Sequence, residues 1–185
     1  LNDKLRLVFW LLQDKDNVAK NSILKLVKSF HTEIEVKIID FVESNIIRCL
    51  ACDICPTHID VDEEYRCIIK SKKDDLHAIH NEFLNADAII PVVFSPLNRD
   101  GLVSNYQRLM ERTRYFRRGD YVFSDLLTAP MVIEDIGSAE NMHIRMMTSM
   151  VRHHTILSMP QVLYRYKHVV VNFNEVKKNL EGFIA

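Results

Sequence analysis

The chain has 185 residues, 48% hydrophobic and 26% charged, with a formal net charge of −1. That length supplies one domain with a sizeable core rather than two, and the composition is that of an ordinary globule. The charge balance argues against a nucleic-acid-binding or anionic-membrane surface, and no apolar run approaches the roughly 18 residues of a membrane span.

No signal-peptide pattern is evident at the start. The expectation is a cytoplasmic, reducing setting, where four cysteines are thiols or metal ligands rather than disulfides. No repeat or linker divides residues 1–185, which are read as a single domain.

In chain order, Leu5 to Leu12 is a continuous apolar run and reads as a strand buried on both faces. Ile23, Leu24, Val27 and Phe30 recur at helical spacing. Ile34, Val36 and Ile38 alternate with Glu35 and Lys37, as in a half-buried edge strand. An irregular insertion at about 45–71 carries every cysteine. Asp74 is placed to cap the next helix, with Leu76, Ile79 and Phe83 on its inner face. Ala88 to Phe94 is a strand, and Pro91 within it suggests a bulge.

Asn105 to Phe116 is helical, with Leu109, Arg112 and Phe116 in a row. The basic stretch from Arg112 to Arg118 reads as a solvated helix end. Pro130 to Ile136 is a strand and Glu140 to Leu157 a long helix. Gln161 to Tyr166 or Val169 to Phe173 supplies a fifth strand before a closing helix over Asn174 to Ile184. Strands alternating with helices predict a doubly wound α/β domain: a five-stranded parallel sheet in the order 2-1-3-4-5 between two helical layers. Ligands of such sheets sit outside the carboxyl ends of the strands, at the topological switch point. The loops at about Gln13 to Ser22, Ser95 to Ser104 and Asp135 to Glu140 are therefore the ones to watch.

Three cysteines fall within seven residues, as Cys49-x2-Cys52-x2-Cys55, with Cys67 twelve positions on. Four thiolates can hold a [4Fe-4S] cluster, and a tight run of three suits one face of it. Structural zinc more often uses two separated pairs, and a loop of free thiols is the third reading. His77, His80, His153 and His154 are read as solvent-facing. Met142, Met146, Met147 and Met150 are read as core or subunit interface.

Several segments resemble the NAD(P)H-dependent FMN reductases and their iron–sulfur flavoprotein branch, which share the flavodoxin-like fold. Ala86-Asp87-Ala88-Ile89-Ile90, then Ser95-Pro96, Val103-Ser104 and Leu109 to Arg112, resemble that family's central segment. Cys67 to Lys70 with Asp74-Asp75-Leu76 resembles the stretch joining its cysteine loop to the next helix. Cys49, Cys52 and Cys55 resemble its compact cysteine motif, and Ile133 to Gly137 with Glu140 its third flavin loop. Departures lie in the first loop, where Asp14 and Asp16 appear and the family's glycine and serine–proline step are missing, and after Pro96, where Leu97-Asn98 replaces an aromatic residue.

The resemblance implies an FMN-binding oxidoreductase that takes electrons from NAD(P)H or a protein donor. It would pass them, through a [4Fe-4S] cluster on Cys49, Cys52, Cys55 and Cys67, to a small-molecule or protein acceptor, and work as a homodimer or homotetramer. It places the flavin phosphate at Gln13, Lys15, Asn21 and Ser22. The ring falls at Ser95, Pro96, Leu97, Asn98 and Ser104, and the pyrimidine side at Asp135, Gly137, Ser138 and Glu140. Asn21-Ser22 also reads as a plain helix cap. No side chain is assigned to catalysis, because hydride and electron transfer belong to the cofactor. The altered first loop keeps a second reading open: a flavin-free binding or assembly module with a structural metal or free thiols.

Overall fold

A computed structural model of the chain describes residues 4–30, 34–59, 61, 65–95, 104–137 and 141–185. The elements run β1 (Leu5–Gln13), α1 (Val18–Val27), β2 (Ile34–Asp40), α2 (Leu76–Leu84), β3 (Ala88–Ser95) and α3 (Ser104–Arg112), which continues into a 3-10 turn at Thr113–Arg117. After these come β4 (Leu127–Thr128), β5 (Met131–Asp135), α4 (Met142–Val151), β6 (Ile156–Leu157), β7 (Gln161–Tyr166), β8 (Val169–Val170) and α5 (Phe173–Ile184).

The five longest strands are parallel and lie in the order β2-β1-β3-β5-β7. This is the expected 2-1-3-4-5 arrangement of the flavodoxin-like class. The expected five strands fall short of the sheet by three small additions. Two-residue β4 and β6 pair in parallel beside β3, and β8 folds back antiparallel on β7.

Alternation along the strands builds two cores. Val8, Trp10, Leu12, Ile89, Val93 and Val132 face α2, α3 and α4, where they meet Phe83, Leu109, Met142, Met146 and Met150. Leu7, Phe9, Leu11, Ile90, Phe94 and Ile133 face α1 and α5, against Ile23, Leu26, Val176 and Leu180. Helices on both faces explain why β1 is apolar at every position from Leu7 to Leu12. Among the described residues β2 pairs only with β1, and it alternates, as its edge position requires.

Several local expectations change. Pro91 pairs in regular register with Trp10, and the bulge lies on β1 at Leu12, opposite Val92 and Val93. The Ile89 carbonyl accepts from Ala129 N–H, so Pro91, two residues on, turns its nitrogen to the same side. Pairing with β4 ends at Ile89 and pairing with β5 begins at Val92. The missing donor thus falls in a gap between two ladders. Leu24 is exposed, and Ala19, Ser22 and Leu26 join Ile23 on the inner face of α1. The long helix expected to Leu157 ends at Val151. Gln161–Tyr166 is the fifth parallel strand and Val169–Val170 only its antiparallel partner.

Candidate functional site at the strand ends

The carboxyl ends of β1, β3 and β5 come together because these strands are sheet neighbours, with α1 leaving one face and α3 and α4 the other. Gln13 ends β1, Ser95 pairs in register with Glu134, and Asp135 ends β5. Ser104 opens α3. Pro96, Leu97, Asn98, Ser138 and Glu140 lie outside the described residues.

The start of α1 is where a phosphate would need free backbone donors. Asp16 and Asn17 both adopt left-handed backbone, φ 54° and 55°, and bend the chain so that the Asp14 carboxylate faces the helix end. Its Oδ1 accepts from the N–H groups of Lys15 and Ala19, both at 2.8 Å, and its Oδ2 from Lys20 N–H at 2.9 Å. Val18 N–H donates to the Lys15 carbonyl and Asn21 N–H to the Asn17 carbonyl. The first four helical N–H groups are thus satisfied by the chain itself, and the negative charge favoured at a helix start is already there. The residues as they stand do not fit an FMN phosphate at this position.

Asn21 and Ser22 are corrected accordingly. The helix begins at Val18, so they lie a turn inside it. The Ser22 hydroxyl donates to the Val18 carbonyl and Asn21 is exposed. Lys15 is exposed in the loop, and Lys20 reaches back 3.1 Å to Asp40 at the end of β2.

At the end of β5 the Asp135 carboxylate is held by Arg165 through two contacts, 2.5 and 3.0 Å, and the guanidinium lies 4.5 Å over the Phe94 ring. Asp135 is therefore a fixed wall of this end rather than an open acceptor. Gly137 turns left-handed, at φ 94°. Glu134 was not singled out by sequence. It is nearly buried on the α4 side, and burial lifts its carboxyl above the usual range while His143 pulls the other way. A charged residue inside an apolar strand was the signal available for it. For Asp14 it was an acid placed just before a helical start.

The cysteine insertion is anchored by the segment read as a solvated helix end. Arg112 is buried. Its Nη2 donates to Asp74 at 2.7 Å and its Nη1 to the Ile47 carbonyl at 2.9 Å, while Asp74 accepts from Ile47 N–H. Asp74 is thus a buried ion-pair partner, and Asp75 takes the position before α2. Arg48 pairs with Glu111, and Asp53 accepts from both Arg114 and Arg118. Asp120 accepts from Ile59 N–H and contacts His58. Tyr65 donates to the carbonyls of Tyr115 and Arg118.

Within this framework Cys52 is exposed, Cys49 and Cys55 are half-buried and Cys67 is buried. Burial pushes the Cys55 thiol up, against a hydrogen bond from Arg118. Among the described residues no three histidine, cysteine, aspartate or glutamate side chains converge to hold a metal ion, which gives the expected iron–sulfur cluster no support. Two histidines expected in solvent are buried instead. His80 Nδ1 bonds the Tyr115 hydroxyl at 2.8 Å. His153 donates from Nδ1 to the Ser149 carbonyl and meets the Thr113 hydroxyl through Nε2.

No protein-family model matches the sequence, and no curated protein matches it. Solved structures do. One is a Klebsiella pneumoniae protein provisionally assigned as a quinone reductase, 14% identical, with a TM-score of 0.56 over 97% of this chain and 85% of its own. Another is the apo form of an NADH:FMN oxidoreductase, 8% identical, with a TM-score of 0.56 over 98% of this chain and 88% of its own. At such identities the likeness establishes the fold, and that fold is flavodoxin-like.

Proposed function

We propose that the chain is a flavin-dependent oxidoreductase that accepts electrons from NAD(P)H at the carboxyl ends of β1, β3 and β5. The observation that carries the proposal is the switch point between β1 and β3 in a 2-1-3-4-5 sheet, the place where this architecture receives ligands. Ser95 and the Ile133 to Gly137 segment, which resemble flavin-loop residues, lie at the ends of β3 and β5. Two oxidoreductases, one named for NADH and FMN, share the fold over nearly the whole chain.

When bound there, a flavin supplies hydride acceptance and onward electron transfer. The chain's own residues shape the site: Arg165 fixes Asp135, and the Ser95–Glu134 register sets the floor between β3 and β5. The acceptor is a small molecule or protein. We place the protein in the cytoplasm, where four free thiols persist, as a homodimer or homotetramer; the outward-facing Ile144 and Val151 of α4 support pairing.

Asp14 favours a second reading, a flavin-free binding module, because the donors an FMN phosphate would use are occupied. One titration separates the two. Riboflavin and FMN are added to the wild-type protein and to Asp14→Ser, with flavin fluorescence as the readout. The oxidoreductase reading expects saturable riboflavin binding by both proteins, and FMN binding that tightens at least tenfold, about 1.4 kcal/mol, in the variant. Failure of both flavins to bind either protein leaves the flavin-free module.

A further inference from the structure

A cleft of about 200 Å³ opens between α3 and α4, and none of its lining residues is assigned above to the flavin site. It is lined by Tyr106, Gln107, Glu111, Arg117, Arg152 and His153, among others. Its charge is unbalanced. Among the described residues neither Arg117 nor Arg152 makes an ion pair, whereas the lining carboxylate, Glu111, is already bound at two points by Arg48. The Nε of Arg117 is buried and has no hydrogen-bond partner there. A guanidinium donor withdrawn from water without an acceptor is costly, and here it also faces like charge. Burial first, and then Arg152 and Arg114, pull Arg117 below its ordinary proton affinity.

Tyr106, Ser149 and His153 beside the arginines are already engaged. The Tyr106 hydroxyl bonds Ser149 Oγ and the Arg145 carbonyl. His153 has both ring nitrogens occupied, and burial pushes it down to about 4, so it adds no charge near neutrality. What the cleft lacks is a compact anion with several acceptor oxygens. Guanidinium groups match that geometry by paired donation to phosphate or carboxylate oxygens. The volume is below the roughly 300–1,000 Å³ of drug-sized pockets and matches a small phosphorylated group.

We propose that the α3–α4 cleft binds a phosphate group through Arg117 and Arg152, either as the free ion or as a small phosphate monoester.

The test is a titration of the intact protein with inorganic phosphate and, separately, with glycerol phosphate, at ionic strength held constant with chloride. Melting temperature and the Nε–Hε nitrogen resonance of Arg117 are both followed. Wild type is expected to show saturable shifts in both. Arg117→Gln and Arg152→Gln are each expected to weaken binding at least tenfold, and Lys28→Gln, an equal charge change at an exposed position just after α1, to leave it unchanged. Tighter binding of glycerol phosphate than of phosphate identifies a monoester ligand; equal binding identifies the free ion. No saturable response in wild type overturns the proposal, as does a response that survives both arginine variants. Should Arg117→Gln fail to fold, Arg152→Gln, at an exposed position, decides alone.

Discussion

Arg112 and Asp74 show how much a single buried pair carries here. Both side chains are fully enclosed, 2.7 Å apart, and between them they hold the Ile47 carbonyl and N–H. Removing one partner strands a charge in the interior. Arg112→Ala is therefore expected to lower unfolding free energy by about 3–5 kcal/mol, read from urea denaturation. A double replacement, Asp74→Leu with Arg112→Met, is expected to recover most of that loss, because it removes both charges together and keeps the volume. If the double variant is no more stable than the single one, the pair is not the cause. Asp14 is a second residue whose role lies in what it occupies: it gives α1 its own anion, and with it the answer to whether a phosphate can enter.

At the level of elements, the insertion between β2 and α2 depends on one glycine. Gly119 sits at φ +68°, and a Cβ there would run into the Thr57 backbone carbonyl. Its neighbour Asp120 donates its N–H to that same carbonyl and caps Ile59. Gly119→Ala combines backbone strain with a steric clash and is expected to cost more than about 1 kcal/mol. It should also speed hydrogen exchange at Ile59 N–H. Unchanged exchange there would show that the loop is held by its other contacts alone.

The elements also show what could be read beforehand. The strands were legible because continuous apolar runs and strict alternation each have one structural meaning, and the order of strands and helices then fixed the sheet. Depth was not. His80, Arg112 and His153 look like surface residues in a linear pattern, and only the packing of α2, α3 and α4 buries them beside hydroxyl and carboxylate partners. The first flavin loop was misplaced for a related reason. Residues Asp14 to Asn17 form the turn and α1 starts at Val18, which carries Asn21 and Ser22 into the helix. The cysteine spacing was plain, but what their side chains meet depends on ion pairs made about sixty residues away.

For the whole molecule, the buried histidines set the acid limit of stability. Burial holds both His80 and His153 at about 4, against roughly 6.5 in an unfolded chain. Below 6.5 the unfolded chain takes up protons that the folded one refuses, so stability is full above that pH and falls as pH drops toward 4. The two sites together are worth about 7 kcal/mol at most, a large share of the roughly 5–15 kcal/mol a domain has. Urea midpoints should fall steeply between pH 6.5 and 4.5 and hardly change between pH 7 and 8. A midpoint flat across the acid range would mean that these rings are hydrated.

The cysteine insertion is fastened in two different ways, and ions in solution act on only one of them. The Arg112–Asp74 root has no contact with solvent, while Arg48–Glu111 and the contacts of Asp53 with Arg114 and Arg118 stand in water. The screening length shrinks from about 10 Å at 0.1 M salt to about 3 Å at 1 M. Concentrated sodium chloride should thus lower the local opening energy of the outer loop and leave the root closed, a sub-global opening rather than an unfolding. Alkylation of Cys55, whose sulfur accepts from Arg118, should accelerate under those conditions, while buried Cys67 and the Ile47 amide keep their low-salt rates. The thiols would then report ionic strength segment by segment, with the rest of the fold as their fixed reference.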